Sequence, residues 1–322
     1  MNISLIVPTY RRTKDLQRCL EAIKRQTKPV HQLLVTIRDT DQETWDFFET
    51  YDPGSLPLEL LKVSRTGVIA ALNTALAAAT GDILTATDDD AEAYPDWLEQ
   101  IEKHFADDPA VGAVGGKDVL YENGVLKDGE APIVGVLQWF GRPIGNHSQG
   151  IGPAREVDLL KGVNMSFRMA ALGELTFDER MLGTGAQVHY EMSICLSLKR
   201  AGWKVIYDPN VLVNHFRAER FDEDQRYIFN PVANYNQVYN ETIVLLDHFK
   251  GVQKIVFVLW AIFIGTRAAR GLLQMIRFVP KEGLISLRRW WAAMRGRFNA
   301  GLFLASGSEE ARTLQANLRL EL

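Results

Sequence analysis

The chain places Asp88, Asp89 and Asp90 directly after an apolar run, Ile83-Leu84-Thr85-Ala86-Thr87. A buried strand that ends in three adjacent carboxylates is electrostatically unfavourable unless a cation neutralises them. Like charges repel, and burial raises the cost of each. The cation that suits such an oxygen set is a hard divalent metal, Mg2+ or Mn2+, brought in with a phosphate-bearing ligand. A solvated turn or a helix N-cap is the competing reading, since aspartate favours both.

The rest of the N-terminal half constrains what surrounds those carboxylates. Ile3 to Val7 is predicted as a buried strand, and Pro8-Thr9-Tyr10-Arg11-Arg12 as the turn after it. Leu16, Cys19, Leu20 and Ile23 then recur at helical spacing. Leu33 to Ile37 is a second strand ending at Arg38-Asp39, and Trp45 to Tyr51 suggests a helix. Leu58 to Val63 is a third strand, ending near Ser64-Arg65-Thr66-Gly67. The Ala-rich Val68 to Ala79 is helical, Ile83 to Thr87 is the fourth strand, and Trp97 to Phe105 is another helix. Alternation of this kind predicts an α/β fold with a mainly parallel sheet. Ligands of such sheets bind beyond the carboxyl ends of the strands. Those ends present Thr9, Tyr10, Arg12, Asp39, Arg65 and the three aspartates, a set that suits a nucleotide carrying a diphosphate and a metal. No G-x-x-x-x-G-K-[ST] loop and no G-x-G-x-x-G turn follows a strand, so a metal is expected to neutralise the diphosphate.

The net charge of -4 argues against bulk nucleic-acid binding. Two cysteines, Cys19 and Cys195, give neither a disulfide framework nor a thiolate metal site, which favours a reducing compartment. The N-terminus, Met-Asn-Ile-Ser-Leu-Ile-Val-Pro, lacks a basic segment and reads as a strand rather than a signal peptide, so a cytoplasmic location is expected.

Several segments, in this order, resemble glycosyltransferase family 2. They are Val7 to Arg12, Asp39, Thr66-Gly67 with Ala71-Leu72-Asn73, and Asp88 to Asp90 with Pro95-Asp96-Trp97-Leu98. Gly162 to Arg168, then Ala201-Gly202-Trp203 with Tyr207-Asp208-Pro209 and His215, complete the set. The resemblance covers about residues 1–220. It implies a GT-A-type, Rossmann-like mixed sheet flanked by helices over residues 1–225. Within it, 1–115 would hold the nucleotide sugar and 116–225 the acceptor, with a helical region at 226–322. It further implies an inverting, Mn2+- or Mg2+-dependent sugar transfer from a nucleotide diphosphate sugar to a hydroxyl acceptor, either a glycan or a lipid-linked one.

On that resemblance, Pro8, Thr9, Tyr10, Arg12, Asp39, Arg65, Gly67, Asn73, Asp88 and Asp89 would hold the nucleotide sugar. Asp90, Asp88 and His215 would hold the metal, with His189 competing for the histidine role. Glu191 would be the general base, standing in a Tyr190-Glu191 pair where the family usually carries Glu-Asp. Asn164, Met165 and Trp139 would contact donor or acceptor sugar; core or strand-end packing is the alternative for each. Asp39 suits uracil or thymine, so a UDP- or dTDP-sugar is favoured, and guanine also offers an N–H. Gly183 to Gln187 reads as a mobile loop, and Arg217 and Arg220 as phosphate contacts or solvated charges. Two other functions compete: a non-catalytic nucleotide-sugar-binding subunit, and an aspartate-rich phosphatase or nucleotidyltransferase. A nucleophilic-aspartate phosphatase would carry its acids at the end of the first strand, where this chain has Pro8-Thr9-Tyr10.

Ile255 to Thr266 is apolar and flanked by basic residues. At ~1.5 Å per residue it falls well short of a bilayer core of ~30 Å, so a spanning helix is not expected. From Arg267 to Arg297 only Glu282 opposes eight basic residues, and Trp290-Trp291 lies among them. This pattern predicts a helix in the interface of an anionic membrane, a peripheral contact at the inner face of the cell membrane. Packing against protein is the alternative.

Overall fold

The computed structural model describes residues 1–226 and 228–306. In chain order the elements begin β1 (Ile3–Thr9), α1 (Thr13–Lys24), β2 (Gln32–Arg38), α2 (Gln42–Thr50), β3 (Leu58–Val63), α3 (Val68–Ala78) and β4 (Ile83–Ala86). β5 (Ala91–Ala93), α4 (Trp97–Asp107), β6 (Val111–Glu122), β7 (Val125–Leu126), β8 (Val136–Leu137), β9 (Pro143–Ile144), β10 (Arg155–Glu156) and β11 (Met165–Arg168) follow. Then come α5 (Met169–Leu172), α6 (Tyr190–Arg200), β12 (Lys204–Phe216), α7 (Pro231–His248), α8 (Val252–Phe263), α9 (Leu272–Glu282) and α10 (Leu284–Ser306). The chain forms two compact units. The first takes residues 1–136, 144–177 and 191–218; the second takes 137–143, 178–190 and 219 onward. The second unit therefore gathers two upstream segments as well as the C-terminal region expected from about residue 226. Residues 307–322 of that region lie outside the described residues.

The first unit is built on one mixed sheet with strand order β10-β12-β6-β11-β4-β1-β2-β3. β1 is parallel to both β2 and β4, with Ile6 opposite Leu34 on one side and Ala86 on the other. The chain runs outward from β1 to β3 and then returns to the far side of β1. That reversal separates the loops after β1 and β4 and opens a crevice at their carboxyl ends. β11 runs antiparallel between β4 and β6, and β12 runs parallel to β6. β1, β2 and β4 bury nearly every side chain, as strands covered on both faces must. Helix α1 meets this layer with Leu16, Cys19, Leu20 and Ile23, one face at the predicted spacing. Helix α2 starts earlier than predicted because Asp41 caps it, its carboxylate accepting from the Thr44 N–H.

An irregularity in β12 decides where the C-terminal half of that strand goes. Asp208 pairs with Gly116, yet the next paired residue, Leu212, sits opposite Lys117, so β12 bulges outward by several residues. The bulge presses Val211 onto β6, where a Cβ at Gly116 would lie 1.8 Å from the Val211 carbonyl oxygen. Beyond the bulge, β12 also pairs with β5, setting His215 opposite Ala91.

In the second unit, α7 packs along α10. Asn230 caps α7 by accepting from the Val232 and Ala233 N–H groups, with Pro231 in the first turn. Gly296 on α10 lets the helices close, since a Cβ there would lie 2.8 Å from the Tyr235 carbonyl oxygen. Glu241 on α7 is buried with Arg297 of α10, whose guanidinium donates to the Ala269 and Arg270 carbonyls. The loop Gly183 to Gln187 is pinned rather than mobile: the Ala186 N–H donates to Asp222 at 2.9 Å and Thr184 bonds Glu223. No helix among the described residues is long and apolar enough to cross a membrane. Helices α8 and α9 nonetheless expose Ile255, Leu259, Phe263, Leu273 and Ile276.

Candidate active site

The crevice at the ends of β1 and β4 collects the three aspartates, and each meets a different partner. Asp89 is buried and accepts from Arg12 Nη1 at 2.7 Å. Burial pushes the Asp89 carboxyl up to about 7, against the downward pull of Arg12. Burial pulls the Arg12 guanidinium down, and the aspartates more than restore it. Arg12 Nη1 also lies 3.6 Å from Asp90. Asp90 is buried as well; its Oδ2 accepts from the Ala218 N–H at 2.9 Å and its carbonyl from the Phe216 N–H at 2.9 Å. These bonds tie the end of β12 to the aspartate turn.

His215 therefore arrives beside Asp90, with Nε2 3.5 Å from Asp90 Oδ1. That Nε2 is buried and makes no hydrogen bond among the described residues. The opposite ring nitrogen, Nδ1, faces Asp118 Oδ2 at 3.3 Å. Asp118 is fully buried on β6 and also ion-paired with Lys161. Burial pushes the Asp118 carboxyl up, but His215 and Lys161 outweigh it and hold it below its ordinary value. One ligand atom each from Asp88, Asp90 and His215 falls within 4.8 Å of the others. Two carboxylates and an imidazole, the imidazole oriented from behind by a carboxylate, fit a divalent cation such as Mn2+. Elsewhere in the unit, Glu191 stands in the first turn of α6.

The family description "Glycosyl transferase family 2" matches residues 4–150. A glucosyl-dolichyl phosphate glucuronosyltransferase of Haloferax volcanii is 26% identical over 224 residues, 67% of this chain and 69% of that protein. A pre-mycofactocin glycosyltransferase of Mycobacterium tuberculosis is 30% identical over 151 residues, covering 46% of this chain and 30% of that one. Among solved structures, the mannosyltransferase PcManGT from Pyrobaculum calidifontis, in complex with GDP-Man and Mn2+, superposes with a TM-score of 0.53. That match is at 20% identity over 99% of this chain and 79% of the other. S. aureus TarS 1-349, in complex with UDP-GlcNAc, gives 0.59 at 16% identity over 93% and 81%. Over residues 4–150, somewhat under half of its length, the chain is similar to glycosyltransferase family 2. It is a glycosyltransferase with the GT-A-type fold that the resemblance implied.

In this glycosyltransferase Asp88, Asp90 and His215 lie together, and His189 is not in that group. His189 belongs to the second unit, and burial pushes its imidazole down to about 4. Pro8 and Thr9 close β1, and Tyr10 follows with Arg11 and Arg38 over its ring at 5.1 and 5.6 Å. Asp39 and Arg65 are exposed at the ends of β2 and β3, and Gly67 starts α3 at φ 100°.

Four residues expected at the sugar nucleotide or acceptor are engaged within the protein. Asn73 donates to the Phe177 carbonyl and accepts from the Phe177 N–H, both at 2.9 Å, so its amide clamps backbone rather than nucleotide. Asn164 is buried, accepts from the Trp97 indole and donates to the Val211 carbonyl, bracing α4 and the β12 bulge. Met165 is wholly buried in the sheet and offers nothing to a sugar. Arg12 is engaged by Asp89, so it serves first as an internal counter-ion. The exposed Trp139 lies in the other unit. Arg217 and Arg220 are paired with Glu122 and Asp224. Asp118 and Lys161 escaped the sequence reading; the one signal for Asp118 was its place beside Lys117 inside the largely apolar β6.

Proposed function

We propose that this glycosyltransferase is metal-dependent and inverting, moving a sugar from a nucleotide diphosphate sugar to a hydroxyl acceptor. The observation that carries the reading is the convergence of Asp88, Asp90 and the hydrogen-bond-free Nε2 of His215 at the sheet's reversal point. Asp88, Asp90 and His215 would hold Mn2+ or Mg2+, which when bound offsets charge developing on the diphosphate leaving group. Asp118 and Lys161 fix the His215 ring so that Nε2 faces the ligand. Arg12 keeps Asp89 from adding its full charge to the same site. Thr9, Tyr10, Asp39 and Arg65 line the strand ends where the nucleotide would lie, and Asp89 and Gly67 shape the turns there.

Glu191 is proposed as the base that takes the acceptor proton, as single-step inversion requires. The solved relatives carry GDP-Man and UDP-GlcNAc, which keeps uracil, thymine and guanine open for the base that Asp39 would meet. The acceptor is proposed to be lipid-linked. The exposed apolar faces of α8 and α9 support this, as does the Haloferax relative, named for a glucosyl-dolichyl phosphate. A peripheral position on the inner face of the cell membrane follows.

The test is calorimetric titration of UDP-, dTDP- and GDP-sugars with and without Mn2+. Binding of at least one donor is expected to require the ion in the parent and to disappear in Asp90→Ala. Donor binding that ignores the ion would remove the metal assignment. Glu191→Gln is expected to retain donor binding while transfer of labelled sugar stops; undiminished transfer would remove Glu191 from the base role.

A further inference from the structure

The second unit contains a cavity of about 490 Å³ lined by three arginines, Arg142, Arg267 and Arg277. Among the described residues no carboxylate lies within ion-pair distance of any of the three. Other basic residues nearby are already committed. Arg270 is buried, donating to Glu282 at 2.7 Å and to Ser286 at 2.6 Å, and Arg297 holds two carbonyls. Arg267, Arg270 and Arg277 surround a single ring, Phe278, at 5.5, 4.6 and 5.7 Å. Glu282 offsets only one charge of that cluster, so the cavity keeps an uncompensated positive field. The amide oxygen of Gln274, also in the lining, is buried without a hydrogen-bond partner. A cavity of this size falls in the range of small-molecule sites, ~300–1,000 Å³.

We propose that this cavity binds the phosphate headgroup of a membrane lipid. Guanidinium forks match phosphate oxygens, and three of them suit a multiply charged group better than a lone carboxylate. The apolar wall supplies the rest of the chemistry. Phe140 and Trp260 pack at 5.2 Å beside the arginines. Leu259, Ile262 and Phe263 on α8, with Leu273 and Ile276 on α9, are exposed next to the lining residues. A hydrocarbon chain leaving the headgroup runs along these faces, which a free phosphate would leave in water. The inference rests on the membrane contact proposed above and adds to it a headgroup chemistry and the residues that read it.

The test is vesicle sedimentation of the full chain. Three vesicle types are used: phosphatidylcholine alone, phosphatidylcholine with phosphatidic acid, and phosphatidylcholine with oleate at matched charge. The parent is expected to prefer phosphatidic acid over oleate. In the combined Arg142→Gln, Arg267→Gln, Arg277→Gln variant that preference is expected to vanish, with about a fivefold loss for each arginine removed. Circular dichroism of the variant, unchanged from the parent, establishes that it is folded, and single substitutions give the same order of loss if it is not. A variant that keeps the preference overturns the pocket. Pelleting of the parent with equal affinity for phosphatidic acid and oleate also overturns the pocket, while leaving the membrane contact standing. Calorimetric binding of inorganic phosphate without any vesicle pelleting overturns the lipid assignment and the membrane contact together.

Discussion

Replacing Glu241 with glutamine should stabilise this protein, and only at the upper end of the pH range. Glu241 lies on α7, buried against α10, and burial pushes its carboxyl from the ordinary 4.5 up to about 7, with Arg297 pulling weakly the other way. The folded state therefore prefers the protonated acid. Between pH 4.5 and 7 the native chain holds a proton that the unfolded chain has released, so stability falls as pH rises through that window. The separation between those two values corresponds to roughly 3 kcal/mol lost by pH 8, at ~1.4 kcal/mol for each pH unit. A glutamine has no such proton to lose. Glu241→Gln should match the parent below about pH 4.5 and exceed it by ~2–3 kcal/mol at pH 8, the lower figure allowing for the attraction that Arg297 gives up. Guanidinium unfolding followed by tryptophan fluorescence at several pH values measures the difference. Parallel pH profiles for the two proteins would show that Glu241 is not the group titrating and would refute the argument. A stability gain confined to acid pH would reverse its sign. The outcome also bears on the cavity, because Arg297 fixes the Ala269 and Arg270 carbonyls in the turn that carries Arg267.

Three further outcomes are expected. Gly116→Ala should unfold the protein more readily by at least ~3 kcal/mol, because the new methyl group meets backbone rather than a movable side chain; a thermal midpoint equal to the parent's would contradict the bulge geometry. Asp118→Asn should weaken Mn2+ binding by ~10–100-fold while leaving Asp88 and Asp90 in place, since it removes the carboxylate that orients His215; unchanged affinity by calorimetry would show that the ring is held by other means. Asn164→Ala should cost ~1–3 kcal/mol by stranding the Trp97 indole and the Val211 carbonyl, with donor binding retained by the folded fraction; selective loss of donor binding at full stability would restore the sugar-contact reading.

The first four strands were legible because each is a short apolar run bounded by turn residues, and alternation with amphipathic helices leaves few ways to arrange them. Their ends could be named before their neighbours were known, which is why Thr9, Asp39, Arg65 and the aspartates appeared together. Asp88, Asp90 and His215 were grouped through the family's pattern, not through any local rule; more than a hundred residues separate His215 from Asp90 along the chain. What the sequence concealed is tertiary register. The β12 bulge depends on Gly116 meeting Val211, and from that offset follow the placing of His215 and its support by Asp118. The asparagines misled for a related reason. An amide in a strand or helix start has the same appearance whether it faces a ligand or the protein itself; Asn73 bonds the Phe177 backbone, and Asn164 bonds the Trp97 indole and the Val211 carbonyl.

The aspartate turn now has a charge balance that its sequence alone could not have. Asp89 is opposed by Arg12, and Asp118 by Lys161. Those two pairs cancel within the protein. Asp88 and Asp90 are the two carboxylates grouped with His215, and Asp90 keeps contacts of its own with Arg12 and the Ala218 N–H. At the proposed metal site, two carboxylates would match one divalent cation, whereas three aspartates without Arg12 would hold a cation more tightly and accept an anionic diphosphate less readily. With the proposed ion bound, a nucleotide diphosphate would meet a site closer to neutral than three unopposed aspartates would give. On this reasoning Arg12 influences the donor without touching it. By removing Asp89 from the sum, it lets a cluster of three aspartates behave as a two-carboxylate site that can carry both a metal and a phosphate.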